Sequence, residues 1–317
     1  MGRSPDAAHC RFAPPKSISP EAQEALTRPW PDQSGFPPLD DSTAWVEFVT
    51  ARNEEFAAMW PRDTLDAAAA AWSEMIGGVP VVRARSNSAP IDDERIYFDI
   101  HGGALIFCGG EHLRPLAQIV AISTQANVVS VDYRMPPMHL YPAGLDDCLA
   151  VYSEFVRTKG AANIIVGGAS AGGNLALALM HRIRDEGLPY PAGLVLQTPE
   201  ADLTESGDSF QVLAGVDRLE SLMQVNLLYA GQAPLDHPYL SPLFGHFTSE
   251  FPPTFIQSGT RDLFLSNAVR LHRKLRNAGA HAELHVWEAL PHGKFFSAPE
   301  DLEIDAEIRA FINRIWG

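Results

Sequence analysis

The sequence predicts an α/β protein built on a mainly parallel sheet with helices on both faces. Three observations predict it: short, continuously apolar runs recur along the chain, helix-like stretches separate them, and Gly/Pro boundaries punctuate the alternation. A strand that is apolar at consecutive positions needs cover on both faces, which two helix layers supply. Such runs lie at Arg95 to Ile100, Ala104 to Cys108, Val128 to Asp132, Asn163 to Val166, Gly193 to Gln197, Thr254 to Gln257 and Ala282 to Trp287, and a last helix is expected over Glu303 to Ile315.

Ahead of the alternation, residues 1 to about 42 are rich in Pro and polar residues and read as a loosely structured arm. Asp41-Ser42-Thr43 can cap a helix whose Trp45, Phe48, Val49 and Phe56 recur at roughly three-to-four spacing. A second helix is expected from Thr64 to Met75, ending at Gly77-Gly78-Val79-Pro80. One later segment breaks the pattern: Ser206 to Gln232 carries Leu213, Val216, Leu219, Leu222, Met223 and Leu227 at helical spacing between two strands. The expected division is an arm with cap helices over residues 1–79 and a main domain over 80–317. An insert at about 205–235 would rise above the sheet and pack against Trp45, Phe48 and Phe56 as a lid.

Composition excludes several function classes. The formal net charge is −15, with 24 basic against 39 acidic residues and no basic cluster, so nucleic acid is not an expected partner. Cys10, Cys108 and Cys148 form no C-x-x-C pair, which argues against a disulfide framework or a zinc site. No apolar run approaches the ~18 residues a membrane span needs. The opening MGRSPD places Asp6 where a myristoylation signal needs Ser or Thr. The simplest setting is soluble, reducing and cytoplasmic.

The chemistry is concentrated in GGASAGG. Gly168-Ala169-Ser170-Ala171-Gly172 fits G-x-S-x-G between a strand and a helix, the context that gives this motif meaning. A sharp turn there exposes the Ser170 hydroxyl, and side chains at Gly168 and Gly172 would collide with the neighbouring strand and helix. Taken alone, the motif also fits a close-packed or phosphate-binding helix start. A serine nucleophile needs a base. Of eleven histidines, His292 lies on a loop after the last strand, where the order Ser…Asp/Glu…His puts it. His9, His112, His181, His237 and His272 read most simply as surface residues. Asp262, just past the strand at Thr254, is the expected acid, with Glu288 as rival. His101-Gly102-Gly103-Ala104 follows a strand and, by itself, is only a tight turn. Beside the other three parts it becomes an oxyanion hole, with Gly102 in the turn and the amides of Gly103, Ala104 and Ala171 as donors.

With these parts in order, the sequence resembles the hormone-sensitive-lipase-like branch of the α/β-hydrolases, the bacterial family IV esterases. HGGA at 101–104, VDYRMPP at 131–137, YPAGLDDCLAVY at 141–152, GASAGGNLA at 168–176, DHPYLSPLF at 236–244, SGTRDLFLSNAVRLHRKLRNAG at 258–279 and PHG at 291–293 carry the likeness, which runs from about residue 80 to the end. It implies an eight-stranded sheet, a helical cap, no cofactor and no metal, and a triad at Ser170, Asp262 and His292. Ala104 stands where the family commonly has Gly, Ala169 where it has a polar residue, and Lys294 where it has an aromatic, with Phe295 next to it. Glu200 is an unusual residue in the S-P-x-x-D-L-like stretch, expected to line the pocket. The expected partner is a small-molecule ester of short to medium acyl length, with a homodimer as the assembly allowed for. An amidase or deacetylase is the alternative chemistry. A non-catalytic receptor is disfavoured because His292 is present, and a nucleotide binder because no G-x-G-x-x-G or P-loop occurs.

Overall fold

The computed structural model describes residues 12–29, 35–89, 94–296 and 298–317. Met1 to Asp6, His9 and Cys10 lie outside the described residues. Eight strands form one sheet: β1 (Ala69–Ile76), β2 (Val79–Ser86), β3 (Ile96–Ile100), β4 (Asn127–Val131), β5 (Ile164–Ala169), β6 (Gly193–Gln197), β7 (Thr254–Gly259) and β8 (Ala282–Trp287), in the order β1-β2-β4-β3-β5-β6-β7-β8. The pairings β1–β2 and β2–β4 are antiparallel and the other five are parallel. Every residue of β3 and β7 is buried, as strands covered on both faces require.

The helices are α1 (Pro20–Ala25), α2 (Ser42–Ala58), α3 (Arg62–Ala68), α4 (Leu113–Thr124), α5 (Ala143–Lys159), α6 (Ala171–Asp185), α7 (Ser209–Val212), α8 (Met223–Ala230), α9 (Leu265–Asn277) and α10 (Pro299–Trp316). One apolar cluster joins β-strand side chains such as Phe98, Val129 and Val166 to Leu145 of α5, Leu179 of α6 and Leu271 of α9. A second, on the other face, joins Tyr97, Val128 and Phe255 to Leu113 of α4 and Ile308 of α10.

Four expectations are corrected. The helix expected over Thr64 to Met75 stops at Ala68, and the chain continues as β1. The run Ala67 to Ala71 has high intrinsic helix propensity, but pairing Ala69 with Ser86 and Ile76 with Val79 overrides it. Gly77 (φ 59°) and Gly78 (φ 81°) are consequently the two-residue turn of a hairpin. The expected division at residues 79 and 80 falls inside that hairpin, and β1 belongs to the sheet. Second, Ala104 to Cys108 is no strand: Ala104, Leu105 and Cys108 all have positive φ, and Phe107 N–H turns back to the Gly103 carbonyl at 2.8 Å. Its apolar side chains are buried because the turn packs inward. Third, part of the arm is ordered. Ile18 and Ala22 join the α10-side cluster, and the amide and hydroxyl of Ser19 both donate to Glu300 at 2.7 Å. Fourth, His181 is buried rather than at the surface, stacked edge-on against Phe247.

A third apolar cluster unites Trp45, Phe48 and Phe56 of α2 with Ile106, Phe107, Leu219, Leu222, Val225 and Leu263. The expected contact between α2 and the excursion is present, but the excursion is two short helices, with Gly215 (φ 70°) in the linker between them. Trp45 is fully buried and donates its indole N–H to the Pro38 carbonyl at 3.0 Å. Trp45→Ala should therefore cost about 3–5 kcal/mol, read by chemical denaturation, and a loss below about 1 kcal/mol would mean that α2 contributes little to this cluster.

Candidate active site

β5 delivers its last residue to Ser170, which sits at φ 55°, ψ −122° before α6 begins. L-residues avoid such a conformation, and it persists only where the surroundings impose it. They do so here by close approach. A Cβ on Gly168 would lie 2.2 Å from the Gly172 carbonyl oxygen, and one on Gly172 would lie 1.9 Å from that of Ile100. Ser170 N–H is tied to Gln197 O at 2.9 Å. The turn lifts the hydroxyl out of the sheet edge.

His292 Nε2 lies 2.9 Å from Ser170 Oγ, and His292 Nδ1 lies 3.0 Å from Asp262 Oδ1. With the ring proton on Nδ1, the imidazole donates to the carboxylate and accepts from the serine hydroxyl, the arrangement that lets it take a proton. Asp262 is fully buried. Its Oδ1 also accepts the Phe264 N–H at 3.0 Å, and its Oδ2 accepts the Ser258 hydroxyl at 2.6 Å. Glu288 is exposed, just past the end of β8, so the structure sets Asp262 and not its rival against the imidazole.

Opposite the hydroxyl runs the turn after β3. Gly102 backs directly onto Ser170: a Cβ there would meet Ala169 O at 2.9 Å. Gly103, at φ 116°, would bring a Cβ to 2.5 Å from the Phe107 carbonyl. Among the described residues the amides of Gly103, Ala104 and Ala171 donate to no protein acceptor, so they are available to an anion. His101 anchors this turn. It stacks on Tyr133 with centroids 4.2 Å apart, and the Tyr133 hydroxyl donates to its carbonyl at 3.0 Å. Burial pushes its imidazole down to about 4, so it is neutral.

These groups open into a cavity of about 380 Å³ lined by Phe36, Phe48, Phe56, Trp60, Phe107, Leu219, Leu222 and Phe296 beside Ser170 and His292. Lys294 also lines it, its ammonium held by Asp305. Phe295 packs instead into the α10-side cluster. Glu200 does not line the cavity. It is fully buried beneath the turn, its amide bonded to Ser170 O at 3.1 Å.

The sequence reading missed Asp217, on the α7–α8 linker. Its carboxylate accepts the His292 and Leu263 amides at 2.9 and 2.6 Å. Asp217, Asp262 and His292 form the metal-compatible group among the described residues, with donor atoms within 4.8 Å of one another. Those atoms are already engaged: Nδ1 faces Asp262, and both Asp217 oxygens hold backbone amides. Nothing in helical or strand spacing points to Asp217, because its partners lie 46 and 75 residues away.

This sheet order, with the hydroxyl on a strand-to-helix turn and the imidazole on a loop after the last strand, defines an α/β hydrolase. A family model described as alpha/beta hydrolase fold matches residues 97–296. An esterase of Acinetobacter venetianus is 30% identical over 241 residues, 73% of this chain and 78% of that one. The solved structure of esterase E25 superposes with a TM-score of 0.85 at 31% identity, covering 96% of each chain. An esterase from the bacterial hormone-sensitive lipase family superposes at 0.77 with 26% identity, covering 94% of this chain and 96% of that one. The chain belongs to the α/β-hydrolase fold family, in its hormone-sensitive-lipase-like branch.

Glu200 makes the site region pH-sensitive. Burial pushes its carboxyl up to about 8 from an ordinary 4.5, against the opposing influence of Asn226, and neither oxygen has a hydrogen-bond partner among the described residues. The folded state therefore keeps a proton that the unfolded chain gives up. The resulting stability is complete below about 4.5 and is lost as pH rises towards 8. Glu200→Gln removes that dependence: its stability relative to the parent should rise by ~2–4 kcal/mol between pH 5 and pH 8.5. A difference that stays flat across urea titrations at the two pH values would show that Glu200 is ionised in the folded protein.

Proposed function

We propose that this protein is a serine carboxylesterase in which Ser170 is the nucleophile, His292 the general base and Asp262 the orienting acid, acting on small esters of short to medium acyl length. The observation that carries the reading is the continuous chain Ser170–His292–Asp262 at 2.9 and 3.0 Å, ending on a fully buried carboxylate. Ser170 Oγ attacks the ester carbonyl as its proton passes to His292 Nε2. The amides of Gly103, Ala104 and Ala171 receive the oxyanion, next to the N-terminal end of α6, where negative charge is favoured. Collapse breaks the ester C–O bond, and the leaving alkoxide takes the proton from His292, leaving an acyl group on Ser170. Water then adds to that acyl carbonyl while His292 takes its proton. The second collapse frees the acid and returns the proton to Ser170. No step calls for a cofactor or metal.

The same reading makes α2 and the 205–235 excursion a cap, whose aromatic side chains supply the cavity's apolar wall. No helix among the described residues is long and apolar enough to cross a membrane. We assign the protein to a cytoplasmic setting with a small ester as its partner and no nucleic acid.

Ser170→Ala should lower kcat by ~10⁴-fold or more while leaving the fold intact, since Ala also fits the turn. Asp262→Asn should cost orders of magnitude and Glu288→Gln little. A purified Ser170→Ala sample retaining a tenth of parental turnover would exclude the assignment.

The cavity, at the small end of the ~300–1,000 Å³ common for ligand sites, should set chain-length preference. On a p-nitrophenyl ester series kcat/KM should peak at butyrate or hexanoate and collapse by palmitate, whereas a preference for palmitate would rule out the closed cap. A matched anilide should be far slower than its ester; parity would favour the amidase reading.

A further inference from the structure

Asp217 takes no part in the proposed reaction, yet it is buried against two of its three residues. Its linker belongs to the excursion, not to the sheet. Oδ1 accepts the amide of His292 at 2.9 Å and that of Arg218 at 2.7 Å, and Oδ2 accepts the amide of Leu263, the residue after Asp262, at 2.6 Å. The loop after β7 and the loop after β8 are also tied at their bases, through Arg261 N–H to Leu290 O at 3.1 Å and Ala289 N–H to Thr260 Oγ1 at 2.7 Å. At their tips, where Asp262 and His292 meet, Asp217 reaches both.

A second carboxylate here is expensive to bury. Burial and the charge of Asp262 push the Asp217 carboxyl up to about 6, while His292 and the amides of His292 and Leu263 pull it down. The other charged groups in this field are Arg218, on the same linker, and Asp301 of α10, which acts on Arg218. An apolar side chain of similar size would fill the space without that cost. A carboxylate turns an acceptor oxygen to each loop, Oδ1 to the His292 amide and Oδ2 to the Leu263 amide, with no donor facing either N–H.

We infer that Asp217 is a positioning residue: it fastens the acid loop and the histidine loop to each other from the cap, so that docking of the cap and alignment of Ser170, His292 and Asp262 are one event. The inference rests on the triad reading above. The cap then supplies more than a pocket wall, since it completes the geometry in which His292 can work. A displaced imidazole loses catalysis without losing substrate binding, so the consequence lies in kcat rather than KM. A misplacement of about 1 Å costs up to ~10²-fold.

The test uses the full chain with p-nitrophenyl butyrate. Asp217→Asn is close to isosteric but offers one acceptor, and turns an NH₂ towards the second amide. It should lower kcat about 10- to 100-fold with KM within about threefold. The acid limb of its kcat/KM profile should move to lower pH, because a negative charge favouring the protonated imidazole is gone. Asp202→Asn is the structural control. Asp202 is a buried aspartate that holds Thr204, Ser206 and Arg270 at 2.5 to 2.9 Å and touches neither loop. It should lower Tm and leave the acid limb in place. A readout independent of turnover is the low-field proton resonance of the His292–Asp262 hydrogen bond, which should weaken by exchange in Asp217→Asn. Parental kcat and an unmoved limb in that variant, or an equal kcat loss in Asp202→Asn, would overturn the inference. The two readings fail separately, since a Ser170→Ala protein that remains active sinks the triad, whereas an unimpaired Asp217→Asn sinks only the clamp.

Discussion

The site depends on one constraint, the backbone of Ser170 held at positive φ between a strand and a helix. Strain of this kind costs of order 1–3 kcal/mol and must be imposed by the surroundings. The imposition is steric. α6 starts so close to β5 and β3 that Gly168 and Gly172 have no room for a Cβ, and relaxing Ser170 would push the helix off the sheet. Most of the first turns of α6 is buried, including Leu175 and Leu177, so the core that packs the helix also pins the hydroxyl. Such rigidity suits the role proposed for Ser170, since a nucleophile must meet its base within a few tenths of an ångström.

The second constraint is electrostatic. A chain with net charge −15 buries several acids near one edge of its sheet and satisfies them unequally. Asp262 accepts three hydrogen bonds, from His292, Phe264 and Ser258. Asp99, on β3, has the Ser130 hydroxyl, and burial still pushes it up to about 7. Glu200 has no hydrogen-bond partner among the described residues and is the one held most clearly neutral. Of these three, Asp262, the carboxylate assigned to stabilise an imidazolium in the proposed triad, has the most donors, and donors favour its charged form.

The turn proposed to offer the oxyanion amides also packs under α2 and the 205–235 excursion. Phe107 and Ile106 follow it directly and sit in the cluster with Trp45 and Leu222, while Cys108 N–H donates to Asn53 of α2 at 2.8 Å. Packing of α2 therefore bears on the amide positions from one side, as Asp217 bears on the histidine loop from the other. The pocket wall and the proposed reaction geometry share supports.

Much of this was legible in the sequence. Six of the seven apolar runs read as strands are strands, because continuous burial writes itself into consecutive apolar residues. Ser170, Asp262 and His292 were legible because each follows a strand at the sheet's edge, and the strand-to-helix glycines mark the turn. The β1–β2 hairpin was not, since an alanine-rich run suits a helix until a partner strand is present. The Ala104–Cys108 run misled for the opposite reason: its apolar side chains record burial, and burial does not distinguish a strand from an inward-packed turn. By itself the sequence determined the alternation, the strained serine turn and which three side chains, Ser170, Asp262 and His292, come together, all of which are local or follow from the order of elements. Only the tertiary structure decided that Asp262 rather than Glu288 faces the imidazole, that Glu200 is sealed beneath the turn, and that Asp217 reaches both loops. Each of these turns on which polar groups meet across dozens of residues, and only packing sets those distances.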